Sequence, residues 1–276
     1  MANDKKQSDA TIRDRIRKLL AEGSTATLVT VLQSEVLQVG AKLLIRDGGD
    51  TFADLGVASV NKAAVQEAFR FLRGRDEAKS SRVSEFAPEL ASKVDALLLF
   101  ERIEAEPRLV IGGAGHVGAS LARLAALVGY DVTLIDDRAE FVARELFSSA
   151  LERGINLVAT QSWSEALRES IGNGRSVSVA IVTRGHKQDE DCLRAAISAR
   201  PDYIGMIGSK RRTNIVLDKL REEGFDSEEL QKVRAPIGLD IGAVSPEEVA
   251  LAILAEIVAE RRGGMGLSLS QWRRDR

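Results

Sequence analysis

From residue 108 onward, short apolar runs alternate with longer segments whose apolar positions recur every three or four residues. That rhythm predicts parallel strands joined by amphipathic helices. The expected strands are Leu109–Gly112, Val132–Ile135, Asn156–Ala159, Val177–Val182 and Tyr203–Ile207. Between the first two, Val117, Leu121, Leu124, Ala125 and Val128 form one helical stripe. Ser162-Trp163-Ser164-Glu165 has the capping-box form that opens a helix before Gly172. The last helix is expected to start at Ser245 as N-cap, with Pro246 at its first position and Glu248 at its third, followed by Val249, Ile253 and Ile257. The fold class is therefore α/β, with a doubly wound, Rossmann-like parallel sheet across residues 106–276.

Residues 1–105 carry a different pattern and predict a smaller α+β domain. Ile12, Ile16, Leu19 and Leu20 repeat at helical spacing before Gly23, and two β-type runs follow at Thr27–Leu32 and Ala41–Ile45. A helix is expected over Ser59–Arg73, a polar loop over Gly74–Arg82 and an apolar run over Ala96–Phe100. Glu101–Glu106, ending at Pro107, reads as a hinge between the two domains.

Composition narrows the function. The chain has 276 residues, 44% hydrophobic and 29% charged, with 39 basic against 41 acidic residues and a formal net charge of −2. Such a balance offers no field for nucleic acid or an anionic membrane, so neither is an expected partner. One cysteine, Cys192, excludes an intramolecular disulfide, and a cytoplasmic setting is expected. No apolar run approaches the roughly 18 residues a membrane span needs, and no signal-peptide core follows the polar start Met1–Asp9. The Arg-rich stretch Thr11–Leu20 lies among Asp4, Asp9 and Asp14, which favours a folded helix over a transit peptide.

The chemistry concentrates in the strand–turn–helix sequence Leu109-Val110-Ile111-Gly112-Gly113-Ala114-Gly115-His116-Val117-Gly118. In a dinucleotide-binding turn Gly113 permits the bend, Gly115 lets the backbone approach a pyrophosphate, and Gly118 lets helix pack on strand. The helix N-terminus then offers unpaired N–H groups to phosphate. Asp136, closing the second strand, stands where a carboxylate meets ribose hydroxyls, while Arg138 suits a phosphorylated ribose instead. A purely structural reading of the same residues makes the glycines packing devices and the acids solvent-facing.

Only two histidines occur, His116 and His186, each in a glycine-flanked loop after a predicted strand. With strands ordered 3-2-1-4-5, both loops flank the point where the sheet reverses direction, so the histidines are expected to share one crevice. Thr183-Arg184-Gly185-His186-Lys187-Gln188-Asp189 supplies a cation, an imidazole and a carboxylate to an anionic ligand. Gly208-Ser209-Lys210-Arg211-Arg212 has the form of a second anion site, with Ser209 and Lys210 at a helix start. The apolar, glycine-punctuated stretch Pro236–Ala243 is expected to cover the crevice. Cys192 has no partner at metal-ligand spacing and reads as a small core residue; no metal site is expected.

Taken together, Gly113–Gly118, Asp136-Asp137-Arg138, Thr183–His186, Tyr203–Lys210 and Gly238–Ala243 resemble, in order, the XdhC/CoxI family over about Pro107 to Gly263. The resemblance implies an accessory protein that binds molybdenum cofactor and assists its sulfuration and insertion into a xanthine dehydrogenase-type molybdenum hydroxylase. The partner so implied is that client's own subunit, and the implied state is a homodimer. The cofactor contacts expected from the glycine turn, the switch-point loops and the second helix start are Gly113, Gly115, His116, Gly118, Asp136, Arg184, His186, Ser209 and Lys210. Nearer the N-terminus, Gly40–Ile45 resembles a family strand motif. The family's Gly-Ser-x-Pro-Arg segment is replaced by Gln33–Gln38, however, and its Gly-Gly-Cys-x-Glu motif by Leu55–Asn61. The family cysteine is thus absent. Three functions remain open: a non-enzymatic cofactor chaperone; an NAD(P)-dependent oxidoreductase with His186 as its catalytic acid or base; and a regulatory module that only senses nucleotide.

Overall fold

The computed structural model describes residues 2–74 and 76–270, with residues 2–10 described by backbone alone. The acidic positions Asp4 and Asp9, and Arg75 in the loop expected over 74–82, therefore lie outside the described side chains. The chain forms two compact units, Met1–Ala105 and Glu106–Arg276.

In the first unit, α1 (Ala2–Ala21) leads into β1 (Ala26–Ser34), β2 (Lys42–Arg46), β3 (Thr51–Ala53), α2 (Ala58–Arg73), β4 (Ala78–Arg82), the single turn α3 (Val83–Phe86) and β5 (Ala96–Ile103). These strands make an antiparallel sheet in the order β3-β2-β1-β5-β4. Side chains alternate across it. Val29, Val31, Leu43, Ile45, Leu98 and Phe100 pack with Val60, Ala64 and Phe71 of α2, whereas Ala26, Leu28, Leu44 and Ile103 meet Ile16 and Leu19 of α1.

Two expectations fail here. The polar tract read as a loop contains β4, an edge strand in which only Ser81 is buried, so burial leaves no apolar alternation to detect. The segment expected as a hinge is also partly strand: Glu101, Arg102 and Ile103 pair with Leu28, Thr27 and Ala26 of β1.

The second unit comprises β6 (Arg108–Gly112), α4 (His116–Leu127), β7 (Asp131–Asp136), β8 (Asn156–Ala159), α5 (Trp163–Ile171), β9 (Val177–Ile181), α6 (His186–Ala199), β10 (Tyr203–Met206), α7 (Lys210–Glu222), α8 (Ser227–Gln231) and α9 (Pro246–Arg262). Its strands are parallel in the order β10-β9-β6-β7-β8, the doubly wound arrangement the alternation predicts. Leu109, Ile111, Val132 and Leu134 bury one sheet face under α4 and α9. Val110, Ile135, Val177, Val179 and Ile181 bury the other under α5, α6 and α7. Val128 departs from the predicted stripe: it is the C-cap of α4 and is exposed.

Residues 234–239 do not cover the crevice. Arg234 N–H donates to Ile204, Met206 N–H to Arg234 and Ile237 N–H to Met206, so this segment runs along the open edge of β10. Leu239 N–H then donates to Ala252 of α9, and Gly238 N–H to the Glu256 carboxylate. An edge strand exposes unpaired backbone groups, and this apolar segment satisfies them. Among the described residues no helix is long and apolar enough to cross a membrane.

Candidate functional site at the sheet switch point

The turn after β6 lies between the loops that leave β7 and β9, at the reversal of strand order. Two of its glycines are demanded by the fold itself. Gly113 has φ +111°, and a Cβ there would sit 2.6 Å from the Val182 carbonyl oxygen. A Cβ on Gly118 would sit 1.8 Å from the Gly113 oxygen. Gly115 is different: its φ of −65° suits any residue, and apart from its chain neighbours no atom lies within 4 Å of the place its Cβ would take. Packing does not explain Gly115.

Helix caps divide in the same way. Ser162, Ser209, Asp226 and Ser245 cap α5, α7, α8 and α9 through their side chains, with the full reciprocal box at Ser245 and Glu248. Gly115 and Gly185 cap α4 and α6 with no side-chain bond, so the two helices that start beside the switch point keep their N-termini open.

Gly113, Gly115, Asp136, Thr183 and Arg184 line one small cavity of about 70 Å³ with Asp137, Arg138, Trp163, Val182 and Gln188. Of the residues expected in the site, the fold thus gathers Gly113, Gly115, Asp136 and Arg184, and sets Gly118 beneath them. His116 and His186 are the first residues of α4 and α6, both exposed, and neither lines this cavity. Ser209 and Lys210 begin α7 beyond β10, two strands from the turn, and stand outside it as well.

Asp136 does not present an open carboxylate. It is 1% exposed; Oδ2 accepts Ala114 N–H at 2.7 Å and Arg138 Nη2 at 3.0 Å, and Oδ1 accepts Arg138 N–H and Nε at 3.0 and 2.8 Å. Burial raises its pKa, but the bonds from Arg138 and Ala114 outweigh that and hold it below the ordinary range. Its oxygens are spent on tethering the glycine turn to the end of β7, which leaves no acceptor for a ribose diol. Arg138 in turn lies with its guanidinium carbon 3.6 Å from the Phe141 ring centre. Asp137 lines the same cavity without such hydrogen bonds among the described residues, its Oδ2 3.5 Å from Arg184 Nη2. Strand periodicity cannot separate Asp136 from Asp137, because a parallel strand is buried on both faces.

A second buried carboxylate braces the loop after β9. Asp189, fully buried in the first turn of α6, accepts from the Thr183 hydroxyl and pairs with Arg212 of α7. Burial pushes its pKa up against the opposing pull of Thr183 and Arg212. A sequence signal for it exists: Asp189 precedes the buried pair Cys192 and Leu193 by one helical turn, on the same face. Cys192 is fully buried, and burial with the nearby Asp189 raises its thiol pKa well above the usual value. Among the described residues no cluster of His, Cys, Asp and Glu is placed to hold a metal ion.

A doubly wound parallel sheet with a glycine turn at its switch point, heading an uncapped helix, defines a Rossmann-type binding domain. Residues 109–257, over half of the chain, match the XdhC Rossmann domain, and the chain belongs to the XdhC family. It is 29% identical over 230 residues to YqeB of Escherichia coli (strain K12), covering 82% of this chain and 41% of that protein. It is 32% identical over 166 residues to a Bacillus subtilis (strain 168) protein named as a probable xanthine dehydrogenase subunit, covering 60% and 46%. To PaoD of Escherichia coli (strain K12), a molybdenum cofactor insertion chaperone, it is 29% identical over 154 residues, covering 56% and 40%. The matched part thus spans less than half the length of these curated relatives. A crystal structure described as a xanthine dehydrogenase from Bacillus halodurans shares the fold, with a TM-score of 0.61 and 21% identity over 90% of this chain and 66% of that one.

Proposed function

We infer that the second unit binds the phosphate end of molybdenum cofactor, or of a related pterin or dinucleotide, and helps mature a xanthine dehydrogenase-type molybdoenzyme. The observation that carries this reading is Gly115: the one glycine of the turn that packing does not require is the one whose missing side chain leaves room for a phosphate against the backbone. The names of two relatives, a molybdenum cofactor insertion chaperone and a probable xanthine dehydrogenase subunit, supply the ligand class.

The donor set suits an anion rather than a metal. The uncapped start of α4 offers backbone N–H groups, Arg184 adds positive charge, and Trp163 also lines the cavity. In this reading Arg184 meets the ligand inside the cavity, whereas His186 and Lys210, which do not line it, act only on the ligand's approach. Molybdenum cofactor, when bound, carries the redox chemistry of the client. The residues of this chain bind and orient its phosphate.

The test is mass spectrometry of small molecules released from protein purified from a molybdenum-replete host, alongside Gly115→Val. A pterin that is lost from Gly115→Val supports this function. NAD(P) in its place supports an oxidoreductase, and a folded Gly115→Val that retains the ligand removes the turn from the site.

A further inference from the structure

The crevice in its present form is too small for the ligand assigned to it. Its cavity of about 70 Å³ compares with roughly 300–1,000 Å³ for small-molecule sites. Two of its lining residues form an ion pair between loops that are not neighbours in sequence. Asp137 follows β7, Arg184 follows β9, and β6 with its glycine turn lies between those strands. The pair, 3.5 Å apart, therefore joins the two sides of the crevice beside Gly113 and Gly115.

Asp137 has little structural use. Asp136 accepts four hydrogen bonds, whereas Asp137, among the described residues, makes only ion-pair approaches, to Arg184 and to Arg138 Nε at 3.8 Å. The side chain of Asp137 is 26% exposed and that of Arg184 56%, and pairs so open to water are weak enough to exchange partners. A bare carboxylate beside a turn built for phosphate repels the ligand unless a cation screens it. Arg184 is that cation, and it is also the side chain placed to meet a phosphate on the turn.

We propose that Asp137 is an internal stand-in for the ligand's phosphate: it holds Arg184 across the crevice until a phosphate-bearing ligand takes the guanidinium from it. The exchange selects for phosphate esters, because a ligand without phosphate has nothing to draw Arg184 from Asp137 and leaves the pair intact. Arg184 binds such a group in two parallel hydrogen bonds, a geometry a phosphate offers as readily as a carboxylate. This proposal rests on the crevice being the ligand site.

The test is calorimetry on the full chain, with ADP as probe and adenosine as its phosphate-free control. Asp137→Asn should bind ADP about two- to fivefold more tightly than the parent and leave adenosine unchanged. Arg184→Gln should weaken ADP, and in that background Asp137→Asn should add nothing. A gain that persists without Arg184 means that Asp137 acts by simple repulsion, which overturns the exchange. Weaker or unchanged ADP binding by Asp137→Asn, or no ADP binding by that variant at millimolar concentration, overturns it too. Failure of the underlying site shows separately, as undiminished ADP binding by Gly115→Val. Asp137 accepts no hydrogen bond from the described residues, so an unchanged unfolding midpoint for Asp137→Asn certifies the comparison.

Discussion

The Asp136 carboxylate accepts the Ala114 backbone N–H at 2.7 Å, so the end of β7 holds the turn that follows β6. A buried, charge-assisted bond of this kind contributes about 1.5–3 kcal/mol. Asp136→Asn should therefore lower the unfolding midpoint in urea. An unchanged midpoint would mean that Arg138 and Ala114 find other acceptors.

The two buried carboxylates of the second unit should respond to pH in opposite senses. Asp136 has a folded-state pKa below the ordinary 3.8, so its stabilisation is complete above that value and disappears as the pH falls through the lower, folded one. Asp189 has a raised pKa, so it favours the fold while protonated, and that contribution is lost as the pH rises through the raised value. At neutral pH Asp189→Asn should then cost less stability than Asp136→Asn. Urea titrations at pH 7 that gave the reverse order would refute this assignment.

The glycines of the turn should separate packing from binding. Gly113→Ala places a Cβ 2.6 Å from the Val182 oxygen at φ +111° and should cost more than 1 kcal/mol, on the order of the strain expected at such positions. Gly115→Ala meets no atom within 4 Å apart from its chain neighbours and should cost at most about 1 kcal/mol, through its weaker helix cap. Thermal melts of the two variants give the comparison, and equal losses would make Gly115 a structural glycine after all.

Cys192 should be chemically silent. Fully buried and with its thiol pKa raised, it should resist iodoacetamide at pH 8 in the folded protein and react once the chain is unfolded. Cys192→Ala should still support activation of a molybdoenzyme client if the parent does. Loss of sulfuration with that variant would give Cys192 the role of the absent family cysteine.

Both histidines are exposed, so His116→Ala and His186→Ala should move stability by no more than about 0.5 kcal/mol. Any loss of cofactor retention in His186→Ala then reports binding directly. A His186→Ala protein that keeps its ligand and supports its client like the parent takes His186 out of the site.

Much of the architecture of the second unit is written locally along the chain, because its strands are short, mainly apolar runs and several helix starts carry a capping side chain. Ser162, Ser209 and Ser245 cap their helices where the residue pattern requires, and the glycine turn sits at the switch point of the predicted strand order. Such signals act within a few residues of themselves, so they survive without knowledge of the fold. Other features exist only once distant segments meet. Strand β4 is legible only through its pairing with β5, because an exposed edge leaves no burial pattern. Residues 234–237 are held on the edge of β10 by backbone hydrogen bonds that side-chain sequence does not encode. The division of labour between Asp136 and Asp137 depends on Ala114, Arg138 and Arg184, the last of them 47 residues from Asp137 along the chain. A carboxylate's role is set by which donors reach it, and that is a property of the assembled site rather than of the strand that carries it.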